Sequence, residues 1–145
     1  MKFSLNPATE SALYLTRTYP TPKDKVMKAW MDPAALQKWW GPMAAVDWTP
    51  KIGGTFRFDY PLVAGDKGAV VGEFRDISED MLVLSWVGEG GKKGLGGTLV
   101  TVEFRKVPKG TELALTHELL PTGAARDVQR TEWLGRLERL TQALT

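Results

Sequence analysis

The stretch from about Arg126 to Leu144 constrains this chain more than any other. It is the only long segment with helical apolar spacing: Trp133, Leu134, Leu137, Leu140 and Leu144. At about 100° per residue these five fall within one third of a helix circumference. Val128 falls on the far side, and Glu132, Arg136, Arg139 and Gln142 make up the opposite, charged face. Pro121 and Gly123 precede the segment, and no proline interrupts it. The spacing predicts one amphipathic helix whose apolar stripe needs a covering surface.

The middle of the sequence can supply that surface. Residues 1–11 read as a loose arm. Ala12–Tyr19 alternates and is rich in β-formers, which predicts a strand. Thr21 is placed to cap a helix with Pro22 at its first position, carrying Val26, Met27 and Trp30 on its apolar side. Asp32-Pro33 repeats that signal for a second short helix reaching Trp40, which Gly41-Pro42 stops. Further strands are predicted at Val46–Thr49, Thr55–Tyr60, Ala69–Ile77 (irregular at Gly72), Met81–Val87, Thr98–Val107 and Thr111–Leu119. In Thr55–Tyr60, Met81–Val87, Thr98–Val107 and Thr111–Leu119 large apolar residues recur at every second position, and Lys109-Gly110 marks a tight hairpin turn. Short connections make an antiparallel meander with one apolar face, which the C-terminal helix can cover. The expected class is α+β: a curved antiparallel sheet of six to seven strands around a long helix, with two short helices after strand 1.

A chain of 145 residues is expected to be a single domain spanning 1–145, large enough to bury a core without staples. There is no cysteine, so neither a disulfide framework nor a thiol nucleophile is available. One histidine and no cysteine exclude the usual zinc sites, and no metal or cofactor is expected. A net charge of +2 with the two signs interspersed argues against a nucleic-acid surface. No apolar run has the length of a secretory signal or a membrane span, so a cytoplasmic protein is the expectation.

The run Asp32-Pro33-Ala34-Ala35-Leu36-Gln37-Lys38-Trp39-Trp40-Gly41-Pro42 resembles the "DP..L.KWWGP" segment of the AHSA1 family. These proteins are similar to the C-terminal domain of the activator of Hsp90 ATPase, within the START-like (SRPBCC) superfamily. Lys51–Phe58, Val100–Phe104 and Thr111–His117 agree with the family pattern, and the helix with Trp133 resembles its closing helix. The resemblance covers roughly residues 12–144. It implies a helix-grip fold with a deep pocket, and a small hydrophobic molecule as the partner. Two features depart from the pattern: Glu132 stands where relatives often have glycine, and the segment between Pro42 and Gly53 is short. The sequence does not show the N-terminal domain through which eukaryotic co-chaperones of this family engage Hsp90. A chaperone partner is therefore not expected, and a homodimer is left open.

The candidate ligand-binding residues are Trp39, Trp40, Phe56, Phe58, Tyr60, Trp86, His117, Arg130, Trp133 and Leu137. A cavity lined by aromatics with a few polar groups is the usual small-molecule site. His117 shares a strand face with Leu113 and Leu115 and so points inward, as a satisfied core residue or as a polar anchor. Helical phase puts Arg126 and Arg130 on the side of Trp133 and Leu137, where one of them could meet a carboxylate at a pocket mouth. The Gly88–Gly97 stretch lacks the Gly-Lys-Ser/Thr of a phosphate loop and reads as a mobile hairpin loop beside the pocket. No catalytic set is visible. The expected function is binding of a hydrophobic or amphipathic ligand. The alternatives are a cyclase or hydrolase using His117 with Tyr60, or a co-chaperone-like interaction module.

Overall fold

The computed structural model describes residues 11–40, 46–61, 67–89 and 97–145, without the side chains of Tyr60, Pro61, Lys67 and Glu89. Strand β1 (Leu13–Tyr19) leads into helices α1 (Lys23–Met31) and α2 (Pro33–Trp40). Then come β2 (Val46–Trp48), β3 (Thr55–Pro61), β4 (Lys67–Ile77), β5 (Met81–Glu89), β6 (Gly97–Val107) and β7 (Gly110–Glu118), followed by α3 (Gly123–Ala143). The arm before Ser11, the Gly41-Pro42 stop and residues 90–96 of the Gly-rich stretch lie outside the described residues.

The strands form one sheet in the order β1-β7-β6-β5-β4-β3-β2, antiparallel throughout. The six expected meander strands pair in sequence order, and β1 closes onto β7 as the seventh. Alternation decides which face is buried. Leu13, His117, Val100, Leu84 and Phe74 lie in cross-strand register and form one inward row across five strands. The outward face carries exposed ion pairs, Arg57–Asp59, Arg75–Glu73 and Arg105 with Glu103 and Glu112. Pairs so exposed are screened by solvent and contribute little, so the inward row and the helix on it supply most of the stability.

The irregularity expected at Gly72 has a packing cause. A Cβ there would sit 1.9 Å from the Ser85 carbonyl oxygen and 2.5 Å from the Phe56 ring, so only glycine lets β3 and β5 close around β4. The register shift itself falls just after it, between Phe74 and Asp76. Gly110 opens β7 with φ +145°, and a Cβ there would lie 2.1 Å from the Tyr19 carbonyl oxygen. The hairpin turn therefore presses against the end of β1. Thr111 adds a hydrogen bond, its hydroxyl donating to the Thr21 carbonyl at 2.7 Å. This corrects the expected cap: Pro22, not Thr21, is the N-cap of α1, and no side chain caps that end. Asp32 does cap α2, accepting from Ala34 N at 3.0 Å.

Helix α3 starts at Gly123, with the Thr122 hydroxyl accepting from Ala125 N at 3.0 Å. Its buried residues are Trp133, Arg136, Leu137 and Leu140. Two expected positions change sides. Leu134 is 41% exposed, and Arg136, expected on the charged face, is 6% exposed. At about 100° per residue, this turns the buried stripe roughly 50° toward Arg136. Polar bonds hold the helix at both flanks. The Tyr19 hydroxyl donates to the Leu137 carbonyl at 3.2 Å. The Arg139 guanidinium donates to the Trp39 and Trp40 carbonyls at 3.0 and 2.9 Å, filling two orphan acceptors at the C-terminal end of α2. Leu137 is fully buried beneath α3. Leu137→Ala should cost about 2–5 kcal/mol in denaturant unfolding through lost transfer energy and a cavity. A loss below about 1 kcal/mol would show that α3 does not close the core.

Candidate functional site

The chain has six tryptophans, and each is buried. They reach the interior from every layer: Trp30 from α1, Trp39 and Trp40 from α2, Trp48 from β2, Trp86 from β5 and Trp133 from α3. Buried indoles need acceptors for their N–H groups. Three have them. Trp39 Nε1 donates to the Ala29 carbonyl at 3.0 Å, Trp48 Nε1 to the Trp30 carbonyl at 2.7 Å, and Trp133 Nε1 to His117 Nδ1 at 3.1 Å. The N–H groups of Trp30, Trp40 and Trp86 are buried with no partner among the described residues.

His117 is the centre of a directed chain. Its Nδ1 accepts from Trp133, so the ring proton sits on Nε2. That nitrogen is 2.8 Å from Thr98 Oγ1, whose own hydroxyl donates to the Trp86 carbonyl at 2.7 Å. The sequence is therefore Trp133 N–H to His117, His117 N–H to Thr98, Thr98 O–H to Trp86. Every donor and acceptor in it is used. Burial, reinforced by the positive charge of Arg136, pulls the imidazole down to about 3, so it stays neutral at physiological pH. Both ring nitrogens are committed within the protein, leaving neither to anchor a ligand or move a proton in this state.

The charged group of the site is Arg136. Its Cζ lies 4.8 Å from the ring centroids of both Trp40 and Trp133, 5.3 Å from that of Phe58 and 5.5 Å from that of Trp86. These four rings also touch one another, with centroids 5.1 to 6.1 Å apart across Trp40–Phe58, Trp40–Trp86, Trp40–Trp133, Phe58–Trp86 and Trp86–Trp133. Ring faces attract a cation but accept no conventional hydrogen bond. Nε and Nη1 of Arg136 are accordingly buried and unpartnered among the described residues. Nη2 has Glu132 Oε1 at 3.8 Å, a distance beyond hydrogen bonding, on a carboxylate that is 56% exposed. Burial lowers the guanidinium to about 10, with Glu132 opposing the shift and Arg139 adding to it. It remains a cation at neutral pH.

Of the residues proposed from sequence, Trp40, Phe58, Trp86 and Trp133 meet around Arg136. Trp39 and Phe56 border that group, Trp39 against Trp40 at 5.4 Å and Phe56 against Trp86 at 5.5 Å. Leu137 lies next to Arg136 on α3. The Tyr60 side chain lies outside the described residues. Arg130 is not brought in: it is exposed, and Arg126 is half-buried at the start of the helix. Both stand on the turns of α3 that precede Trp133. Sequence reasoning missed Arg136, Thr98, Trp30 and Trp48. One signal for Arg136 was present, since it stands three residues after Trp133 and four before Leu140, the spacing of one helix face.

The description "Activator of Hsp90 ATPase homolog 1-like protein" matches residues 20–145. The chain belongs to that family. Its fold recurs in solved bacterial structures. Protein Mll3558 from Rhizobium loti is 26% identical with a TM-score of 0.79, over 92% of this chain and 96% of that one. Protein CV1439 from Chromobacterium violaceum is 20% identical with a TM-score of 0.79, over 92% and 97%. DynU16, a protein of the dynemicin biosynthetic locus, is 20% identical with a TM-score of 0.74; the match covers 92% of this chain and 47% of that longer one. No curated protein matches the sequence. Among the described residues, no helix is long and apolar enough to cross a membrane, and no cluster of His, Asp and Glu could hold a metal ion.

The His117 geometry sets a pH dependence. The unfolded imidazole takes a proton near its ordinary 6.5 and the folded one near 3. Between those values the unfolded chain binds more protons, so stability rises with pH at up to about 1.4 kcal/mol per unit. The contribution is complete above about pH 6.5 and is lost as pH falls toward 3. Imidazole nitrogen NMR should show the Nε2–H tautomer and no titration above about pH 4. A folded-state midpoint near 6.5 would contradict the buried, committed ring.

Proposed function

We propose that this family member is a soluble, cytoplasmic binding module that takes a small amphipathic molecule between its sheet and α3, against Trp40, Phe58, Trp86 and Trp133. One observation carries the reading. Five nitrogens in this part of the core, on Trp30, Trp40, Trp86 and Arg136, have hydrogens to donate and no acceptor among the described residues. A buried donor left unmatched costs about 1–3 kcal/mol, so a core selected for stability alone has strong reason to avoid such a cluster. A bound molecule bearing acceptor atoms removes that cost on binding. The ring faces supply the apolar contact. A ligand burying about 300 Å² would gain roughly 7 kcal/mol before the costs of association, which sets micromolar binding as the upper limit. The geometry favours binding over proton transfer at His117, since both imidazole nitrogens are already bonded.

Titration with an uncharged apolar dye such as N-phenyl-1-naphthylamine tests this. Saturable quenching of tryptophan emission with a micromolar Kd is the expected result. Trp86→Ala should weaken it at least tenfold, and His117→Ala, whose ring nitrogens are both bonded within the protein, should weaken it by less than about threefold. A protein that leaves the dye in water, and shows no co-purified small molecule by native mass spectrometry, would not be a binding module of this kind.

A further inference from the structure

Resting on that binding role, we infer that the molecule it takes carries a carboxylate on an apolar body, and that Arg136 receives the carboxylate together with the indole N–H groups of Trp40 and Trp86. The argument begins with sign. Among the described residues, the unmatched buried side-chain atoms around the guanidinium are donors: Nε and Nη1 of Arg136, Nε1 of Trp40 and Nε1 of Trp86. Counted as hydrogens, Nε offers one, Nη1 two and each indole one. Acceptors on the neighbouring residues already hold other hydrogen bonds. The Trp39 and Trp40 carbonyls take hydrogen bonds from Arg139. The Trp86 carbonyl takes the Thr98 hydroxyl, and His117 Nδ1 takes Trp133. An amine or ammonium would therefore face a cation and a set of donors. An alcohol or ester could satisfy one or two of them, and its oxygen would bring no charge to balance the guanidinium.

A carboxylate matches on both counts. It has two oxygens with about four lone-pair directions, and a guanidinium edge binds it through paired, parallel N–H donors. Its single charge also fits. Arg136 is the one buried cation among the described residues, 6% exposed, and its nearest acid is the half-exposed Glu132. One positive charge, met only by an exposed carboxylate at 3.8 Å, calls for a monoanion. The dianion of a phosphate ester would leave a second charge in contact with four aromatic rings. Those rings suit the other end of such a molecule, because Trp40, Phe58, Trp86 and Trp133 surround the guanidinium with apolar side chains.

Calorimetric titration of the purified 145-residue chain with four probes that share one tail tests the inference: decanoate, methyl decanoate, 1-decanol and decylamine, at neutral pH. Decanoate should bind at least tenfold more tightly than its methyl ester, a ratio of about 1.4 kcal/mol or more. Decylamine should bind most weakly. In Arg136→Met, which keeps the length of the side chain and removes its charge and donors, the ratio of decanoate to ester affinity should fall to about one. Equal affinity of wild-type protein for decanoate and methyl decanoate would overturn the carboxylate assignment while leaving the binding role intact. So would a tighter decylamine complex, or a preference for decanoate that survives in Arg136→Met. Binding of none of the four would remove the binding role and the inference together. Where Arg136→Met does not fold, the wild-type comparison of acid and ester decides alone.

Discussion

Every layer of this domain meets at the indole of Trp40. Its ring contacts the other five tryptophans and Phe58, at centroid distances between 5.3 and 6.1 Å, and lies under the Arg136 guanidinium. Its carbonyl is held by Arg139 at 2.9 Å. One residue at the end of a two-turn helix thus ties α1, β2, β3, β5 and α3 together. Edge-to-face and tilted ring pairs each add about 0.5–1.5 kcal/mol beyond the area they bury, and Trp40 takes part in six. The position of α2 relative to α3 is set by the same residue, through its ring on one side and its backbone on the other.

The same packing explains how a lone guanidinium can be buried. The rings around Arg136 replace part of its hydration through their faces, and Glu132 supplies a distant counter-charge. Neither gives Nε or Nη1 an acceptor. The domain therefore keeps a cation at a place where apolar replacement of a buried charge is often neutral or stabilising. His117 shows the opposite solution a few ångströms away. With Trp133, Thr98 and the Trp86 carbonyl it forms a polar chain with nothing left over, and the ring is neutral. The two residues divide the interior into a closed polar network and an open one.

The sheet and the helices were legible in the sequence because their signals are local. Alternation along Leu113, Leu115 and His117 places all three inward, and Asp32-Pro33 marks the start of α2 where Asp32 caps it. The Thr21 signal misled because what decides that corner is distant: Gly110 and Thr111, about ninety residues further along, draw Thr21 against the β6–β7 turn. The site was half legible. Its aromatic residues were found by type and by strand face. Arg136 was assigned to solvent from its chemistry, although its spacing from Trp133 and Leu140 fits the buried face. What keeps it inside is supplied by Trp40, Phe58 and Trp86, residues from three other elements, and a one-dimensional pattern holds no record of their convergence. Leu134 was assigned to the core by the complementary error, on hydrophobicity alone.

The contact of Trp40 with every other indole has an optical consequence. Centroid separations of about 5 to 6 Å are far shorter than the range over which excited indoles exchange energy, so excitation absorbed at any one tryptophan is shared among all six. The emission of this protein belongs to the cluster and not to single residues. It follows that the polarisation of the emitted light is scrambled within the core even while the molecule holds still. Removing Trp40 would take away the one ring that every other indole touches, leaving Trp48 against Phe56 and Phe74 among the described residues.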